Sequence, residues 1–103
     1  MSGETVIVKA PQLEACVARF FTGHGVPQAD ARLVANALVQ ADLWGHQSHG
    51  VLRTSWYVER LRHGVMSPVT AIDVVSDRRC VAVIDGKEGV GQVIAERAMR
   101  RAI

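Results

Sequence analysis

The chain has 103 residues, room for one domain that hides roughly two thirds of the surface its unfolded form would expose. Apolar residues make up 49% and charged residues 21%, with no low-complexity stretch, which excludes a disordered chain. The formal charge is only +2, and its basic residues are scattered or paired with acids, which argues against a nucleic-acid partner.

In chain order, Thr5-Val6-Ile7-Val8 is short and β-branched and reads as a strand, and Pro11 suits the first turn of the helix that follows. Leu13, Cys16, Val17, Phe20 and Phe21 recur at the spacing of one buried helical stripe, which Gly23 and Gly25 end. Pro27 restarts a helix with Asp30 in its first turn and a stripe of Ala31, Val34, Ala35, Leu38 and Ala41. The two helices predict a helical hairpin. Gly45 to Gly50 interrupts the pattern. A third helix is expected from near His49, with Val51, Val58 and Leu61 inward, to His63-Gly64.

Ser67-Pro68 opens a linker, and Ile72 to Val75 reads as a strand. Cys80-Val81-Ala82-Val83-Ile84 is an unbroken apolar run, the pattern of a strand buried on both faces. Asp85-Gly86 closes it, and after Gly91 the residues Ile94, Ala95, Ala98 and Ala102 make a fourth helical stripe. These elements predict an α/β (α+β) chain in which a helical region, residues 1–66, precedes the start of a strand-containing unit, residues 67–103. The fourth helix is still in its apolar pattern at Ile103, without a cap, so a fragment or truncated product is expected.

Cys16 and Cys80 show neither CxxC spacing nor disulfide density, and both fall on apolar patterns, so both are expected in the core as reduced thiols. Glu4, Lys9 and Glu14 interrupt any leader-like apolar centre, and no run of about twenty apolar residues could span a bilayer. The expectation is a cytoplasmic protein without a membrane partner.

Most of the chemistry lies between Asp42 and Tyr57. On a helix starting near His49, Arg53 falls about 40° from His49 and Tyr57 about 80°, with Val51 and Val58 opposite. A guanidinium fork suits a carboxylate or phosphate, and an imidazole exchanges protons near neutral pH. The face reads either as a site for an acid with a second, proton-exchanging group or as a solvated helix surface. Adjacent helical residues point about 100° apart, which makes Ser48-His49 a poor nucleophile and base pair for a hydrolase. His46 and His49 have no third ligand at a familiar spacing, so no metal is expected, and His24 and His63 read as helix-end residues. Asp85-Gly86-Lys87-Glu88-Gly89-Val90-Gly91 sits where a phosphate loop would, but its glycines are spaced G-x-x-G-x-G and it carries Glu88, which favours a structural turn over nucleotide binding.

The run Ala41-Asp42-Leu43, Gly45-His46-Gln47-Ser48-His49-Gly50-Val51, Arg53 and Tyr57-Val58 resembles the malate/L-lactate dehydrogenase family of NAD(P)-dependent oxidoreductases, a group with ureidoglycolate, sulfolactate and diketogulonate-type dehydrogenases. The likeness continues through Gly25-Val26-Pro27, Val83-Ile84-Asp85-Gly86, Gly89, Gly91-Gln92 and Ala98-Met99, so it covers essentially the whole chain as the amino-terminal part of longer family members. The resemblance implies a non-Rossmann fold and a nicotinamide cofactor, NAD or NADP. It also implies a homodimer and hydride transfer between that cofactor and a 2-hydroxy/2-oxo acid. It implies that His49 is the catalytic acid/base, that Ser48 assists it, that Arg53 holds the substrate carboxylate and that Tyr57 lines the substrate pocket. A second pocket histidine and most nicotinamide contacts are implied to lie beyond Ile103. Trp44 and Ser55-Trp56 depart from the family pattern. The alternative is a noncatalytic helical interaction module.

Overall fold

The computed structural model describes residues 5–103, and Glu4, used in the leader argument, lies outside the described residues. Helix α1 spans Ala10–Thr22, with Pro11 in its first turn, where a missing N–H costs nothing. Val17 and Phe21 are buried, whereas Cys16 and Phe20 are exposed. The stripe is therefore narrower than expected: Val17 and Phe21 are its buried residues, with Leu13 and Ala18 partly buried against the same core. Thr5 to Val8 do not form the expected strand: the segment pairs with no strand among the described residues, and Ile7 is almost fully exposed.

The chain turns at Gly25, whose φ of +91° is a conformation L side chains rarely adopt, and the Val26 N–H returns to the Phe21 carbonyl at 3.1 Å. Helix α2, Gln28–Leu43, then packs antiparallel on α1 as the predicted hairpin, burying Ala31, Val34, Ala35, Leu38 and Val39. Two single 3₁₀ turns follow, Gln47–His49 and Val51–Arg53, and α3 runs Thr54–Arg62, stopped by His63 and Gly64. The third helix thus starts later than expected. Gly50, with φ −95° and ψ −153°, is extended and breaks any helix through His49.

Strands β1, Asp73–Arg78, and β2, Val81–Asp85, form an antiparallel hairpin with a bulge between Val74 and Ser76. The run expected to be buried on both faces is not: Val81, Val83 and Cys80 are all exposed. Cys80 falls in the two-residue turn, where Arg79 takes a φ of +55°. β2 has one neighbouring strand among the described residues.

Helix α4, Gly91–Ala102, follows the Asp85–Gly91 loop. Its anchors are Val90 and Val93, both fully buried in the core built by α1, α2 and Leu61 of α3, while Ile94 and Ala98 are half-buried and Ala95 is exposed. Arg97 ties α4 to the rest, pairing with Asp30 of α2 at 3.3 Å and donating to the Thr70 carbonyl. Three N–H groups of the loop are committed to the chain. Asp85 Oδ1 accepts from the Lys87 N–H at 2.9 Å, the Gly86 carbonyl from Gly89 at 3.0 Å and Thr70 Oγ1 from Val90 at 3.1 Å. N–H groups committed to the chain favour the structural-turn reading over a phosphate cradle. No helix among the described residues is long and apolar enough to cross a membrane.

Candidate functional site

The site is built where α2 ends. Gly45, with φ +81°, lets the His46 N–H return to the Ala41 carbonyl at 2.8 Å, so the chain folds back over the last turn of α2. The first 3₁₀ turn closes with His49 N–H to His46 O at 3.0 Å, and Arg53 N–H reaches Gly50 O at 3.0 Å in the second. These turns, and not a helix face, position the polar side chains.

Within this frame Ser48 Oγ lies 2.9 Å from His49 Nδ1. Helical geometry predicts that the two side chains do not face each other. They do: neither residue lies in an α-helix, which begins only at Thr54, and the short Ser48 side chain reaches the near ring nitrogen of His49. The bond occupies Nδ1 and leaves Nε2 as the ring nitrogen open to a reactant. Arg53 Nε donates to the Ser48 carbonyl at 2.7 Å, while its terminal nitrogens have no hydrogen-bond or salt-bridge partner among the described residues. The Arg53 guanidinium also stands 5.5 Å from the Trp56 ring centroid, with Arg60 at 4.8 Å from the same ring. Such stacking restrains a long side chain without using its donors.

Ser48, His49 and Arg53 are therefore one hydrogen-bonded group. Tyr57 is held elsewhere: half-buried against the core, its ring 6.3 Å from Phe21, its hydroxyl accepting from Gln92 Nε2 of α4 at 3.2 Å. It opens on a groove with Trp56, Arg60, Met66 and Gln92, not on the one that His49 lines. The predicted single helical face for His49, Arg53 and Tyr57 is thus replaced by two 3₁₀ turns plus a helix.

His49 borders a groove of about 480 Å³ shared with Asn36, Ala37, Gln40, Ala41, Trp44 and His46. The His46 and His49 rings meet edge to face, centroids 5.7 Å apart. Among the described residues no three His, Cys, Asp or Glu side chains cluster as a metal site would require. A second groove of about 540 Å³ runs between α1 and α2 and holds none of the predicted site residues.

Asp42 has no role in the sequence reading. Its Oδ2 accepts from the Val51 N–H at 2.9 Å, immediately after the Ser-His-Gly turn. A signal for it exists in the sequence: a carboxylate in the last turn of a helix opposes the macrodipole, so its charge is answered by something else. The Gln92 contact with Tyr57, 35 positions away, has no such signal.

A family model described as malate/L-lactate dehydrogenase matches residues 8–103. The malate dehydrogenase of Pyrococcus horikoshii is 42% identical over 96 residues, which are 93% of this chain and 27% of that protein. Its solved structure superposes with a TM-score of 0.89 at 40% identity, over 92% of this chain and 27% of that one. The L-sulfolactate dehydrogenase of Methanocaldococcus jannaschii is 43% identical over 79 residues, covering 77% of this chain and 23% of its own length. The solved sulfolactate dehydrogenase from that organism gives a TM-score of 0.90 at 36% identity, over 94% and 28%. The chain thus spans about a quarter of the length of the curated relatives it matches.

Proposed function

We propose, because the chain belongs to the malate/L-lactate dehydrogenase family, that it supplies the acid/base and carboxylate-binding part of an oxidoreductase acting on a 2-hydroxy/2-oxo acid. The observation that carries this reading is the Ser48–His49–Arg53 group, in which Ser48 Oγ engages His49 Nδ1 and Arg53 Nε engages the Ser48 carbonyl. A nicotinamide cofactor, NAD or NADP, supplies or accepts the hydride when bound. The chemistry of the groove beside His49 fits such a group: Ala37, Ala41 and Trp44 offer apolar surface, and Asn36 and Gln40 offer carboxamide donors and acceptors.

Reduction of a 2-oxo acid leaves negative charge on the former carbonyl oxygen, and that oxygen needs a proton as it forms. His49 Nε2 is free to give it, and takes it back in the oxidation of a 2-hydroxy acid. Ser48 holds the imidazole orientation through Nδ1. Arg53 presents its unpaired terminal nitrogens to the substrate carboxylate, fixing the carbonyl beside the imidazole. Tyr57, steadied by Gln92, opens on a different groove from His49, so it enters the proposal as a wall of the substrate pocket on family membership and not on contact with this group.

The test is made on the full-length gene product, with malate, lactate and related 2-oxo acids and each nicotinamide cofactor. His49→Ala should lower kcat by about 100-fold or more. Arg53→Ala should raise the KM of the carboxylate-bearing substrate while leaving cofactor affinity in place. Unchanged turnover in His49→Ala would overturn the acid/base assignment. The same proposal includes a division of the chain near residues 66 and 67, a homodimer and a cytoplasmic setting. Sedimentation of the full-length product reads the oligomeric state.

A further inference from the structure

The turn that carries His49 is locked from α2. Gly50 is buried, and its backbone angles lie in a region open to any residue. What excludes a side chain there is space: a Cβ built on Gly50 would lie 1.9 Å from Asp42 Oδ1 and 2.3 Å from Asp42 Cγ. The Asp42 carboxylate fills that volume, and from there its Oδ2 accepts from the Val51 N–H at 2.9 Å. One side chain thus fixes the backbone on the far side of Gly50, where Val51 opens the 3₁₀ turn that ends in Arg53. Arg53 closes the loop by donating from its backbone to Gly50 O and from Nε to Ser48 O.

We propose that Asp42 is a positioning residue that sets the separation of His49 and Arg53, and that Gly50 is glycine to admit its carboxylate; this rests on the roles given above to His49 and Arg53. Asp42 touches neither reacting group. It anchors the peptide that joins them, so its loss lets the acid/base and the carboxylate clamp drift relative to each other. The acceptor oxygen is the working part, and a carboxamide can replace it.

The experiment uses the full-length gene product in four variants, Asp42→Ala, Asp42→Asn, Gly50→Ala and the Asp42→Ala/Gly50→Ala double, with His49→Ala as reference. Asp42→Ala is expected to lower kcat/KM for the oxo acid on the order of 100-fold, the scale of a misplaced catalytic group. Nicotinamide affinity, read by fluorescence titration, should stay unchanged, which general unfolding would not allow. Asp42→Asn should stay within a few-fold of wild type. Gly50→Ala should be as damaging as Asp42→Ala, yet the double variant no worse than Asp42→Ala alone, because the obstructing carboxylate is gone. Wild-type kcat/KM in Asp42→Ala, an Asn variant as poor as the Ala variant, or losses that multiply in the double variant would each overturn the proposal. If Asp42→Ala does not fold, folded Gly50→Ala with wild-type kcat/KM overturns it on its own. An inert His49→Ala beside an unimpaired Asp42→Ala sinks this inference alone, whereas an active His49→Ala sinks the functional reading.

Discussion

His49 takes its ring orientation from the residue beside it. The Ser48 hydroxyl at 2.9 Å leaves a single imidazole nitrogen for the reactant, and the Ser48 carbonyl holds Arg53 by Nε. If Ser48 serves only to orient that ring, the loss in Ser48→Ala is that of one hydrogen bond, about 0.5–1.5 kcal/mol, or roughly two- to tenfold in kcat. Steady-state kinetics checks the magnitude, and a serine-reactive phosphonate should leave the wild-type protein unlabelled. Labelling at Ser48 together with complete loss of turnover in Ser48→Ala would restore the hydrolase reading. At this scale the sequence was legible for residue type and not for contact. Ser48, His49 and Arg53 stand out as chemistry within a few positions, but the Ser48–His49 bond depends on the rotamers of two adjacent side chains, which periodicity does not record.

Helices α1 and α2 lie where their stripes and glycines place them, because proline, glycine and apolar spacing act locally. The loop between β2 and α4 is local in a different way. Gly89 is required there by contact: its Cβ would lie 2.7 Å from Thr70 Cγ2 and 2.8 Å from Thr70 Oγ1. Thr70 is buried and tied to the Val90 N–H, so it has little freedom to retreat. Gly89→Ala should therefore destabilise by about 1–3 kcal/mol, as overpacking does, read as a lower Tm. Gly86→Ala should cost less, since the nearest atom, at 2.4 Å, is the end of the flexible Ile94 side chain. Equal Tm values for both variants and wild type would remove this account of the loop. The two strands show the opposite case: β1 and β2 form near the predicted positions, but their exposure does not follow from composition, since burial of an apolar run depends on what covers it.

At the scale of the whole molecule, the described residues have a radius of gyration of 15.4 Å and extents of 53 × 29 × 23 Å, against about 13 Å for a compact domain of this length. The apolar core is concentrated around α1, α2, Leu61, Val90 and Val93, and the hairpin stands outside it. Phe21→Ala should accordingly cost about 3–5 kcal/mol in chemical denaturation. Val83→Ser, half exposed on the hairpin, should change the stability of the 103-residue chain by less than about 0.5 kcal/mol. A cost for Val83→Ser as large as that for Phe21→Ala would show the hairpin to be core.

By itself the sequence determined the helical hairpin, the turn glycines, the approximate positions of β1 and β2 and the residue types of the candidate site, because each depends on spacing and backbone preference within a few residues. Only the tertiary structure decided that Ser48 meets His49, that Asp42 fills the space beside Gly50, that Tyr57 leans on Gln92, and that Cys16, Cys80 and the apolar strand face outward. Burial and the long-range contacts depend on which surfaces come together, which leaves no periodic trace in either segment, and the Ser48–His49 bond depends on side-chain rotamers, which spacing does not record.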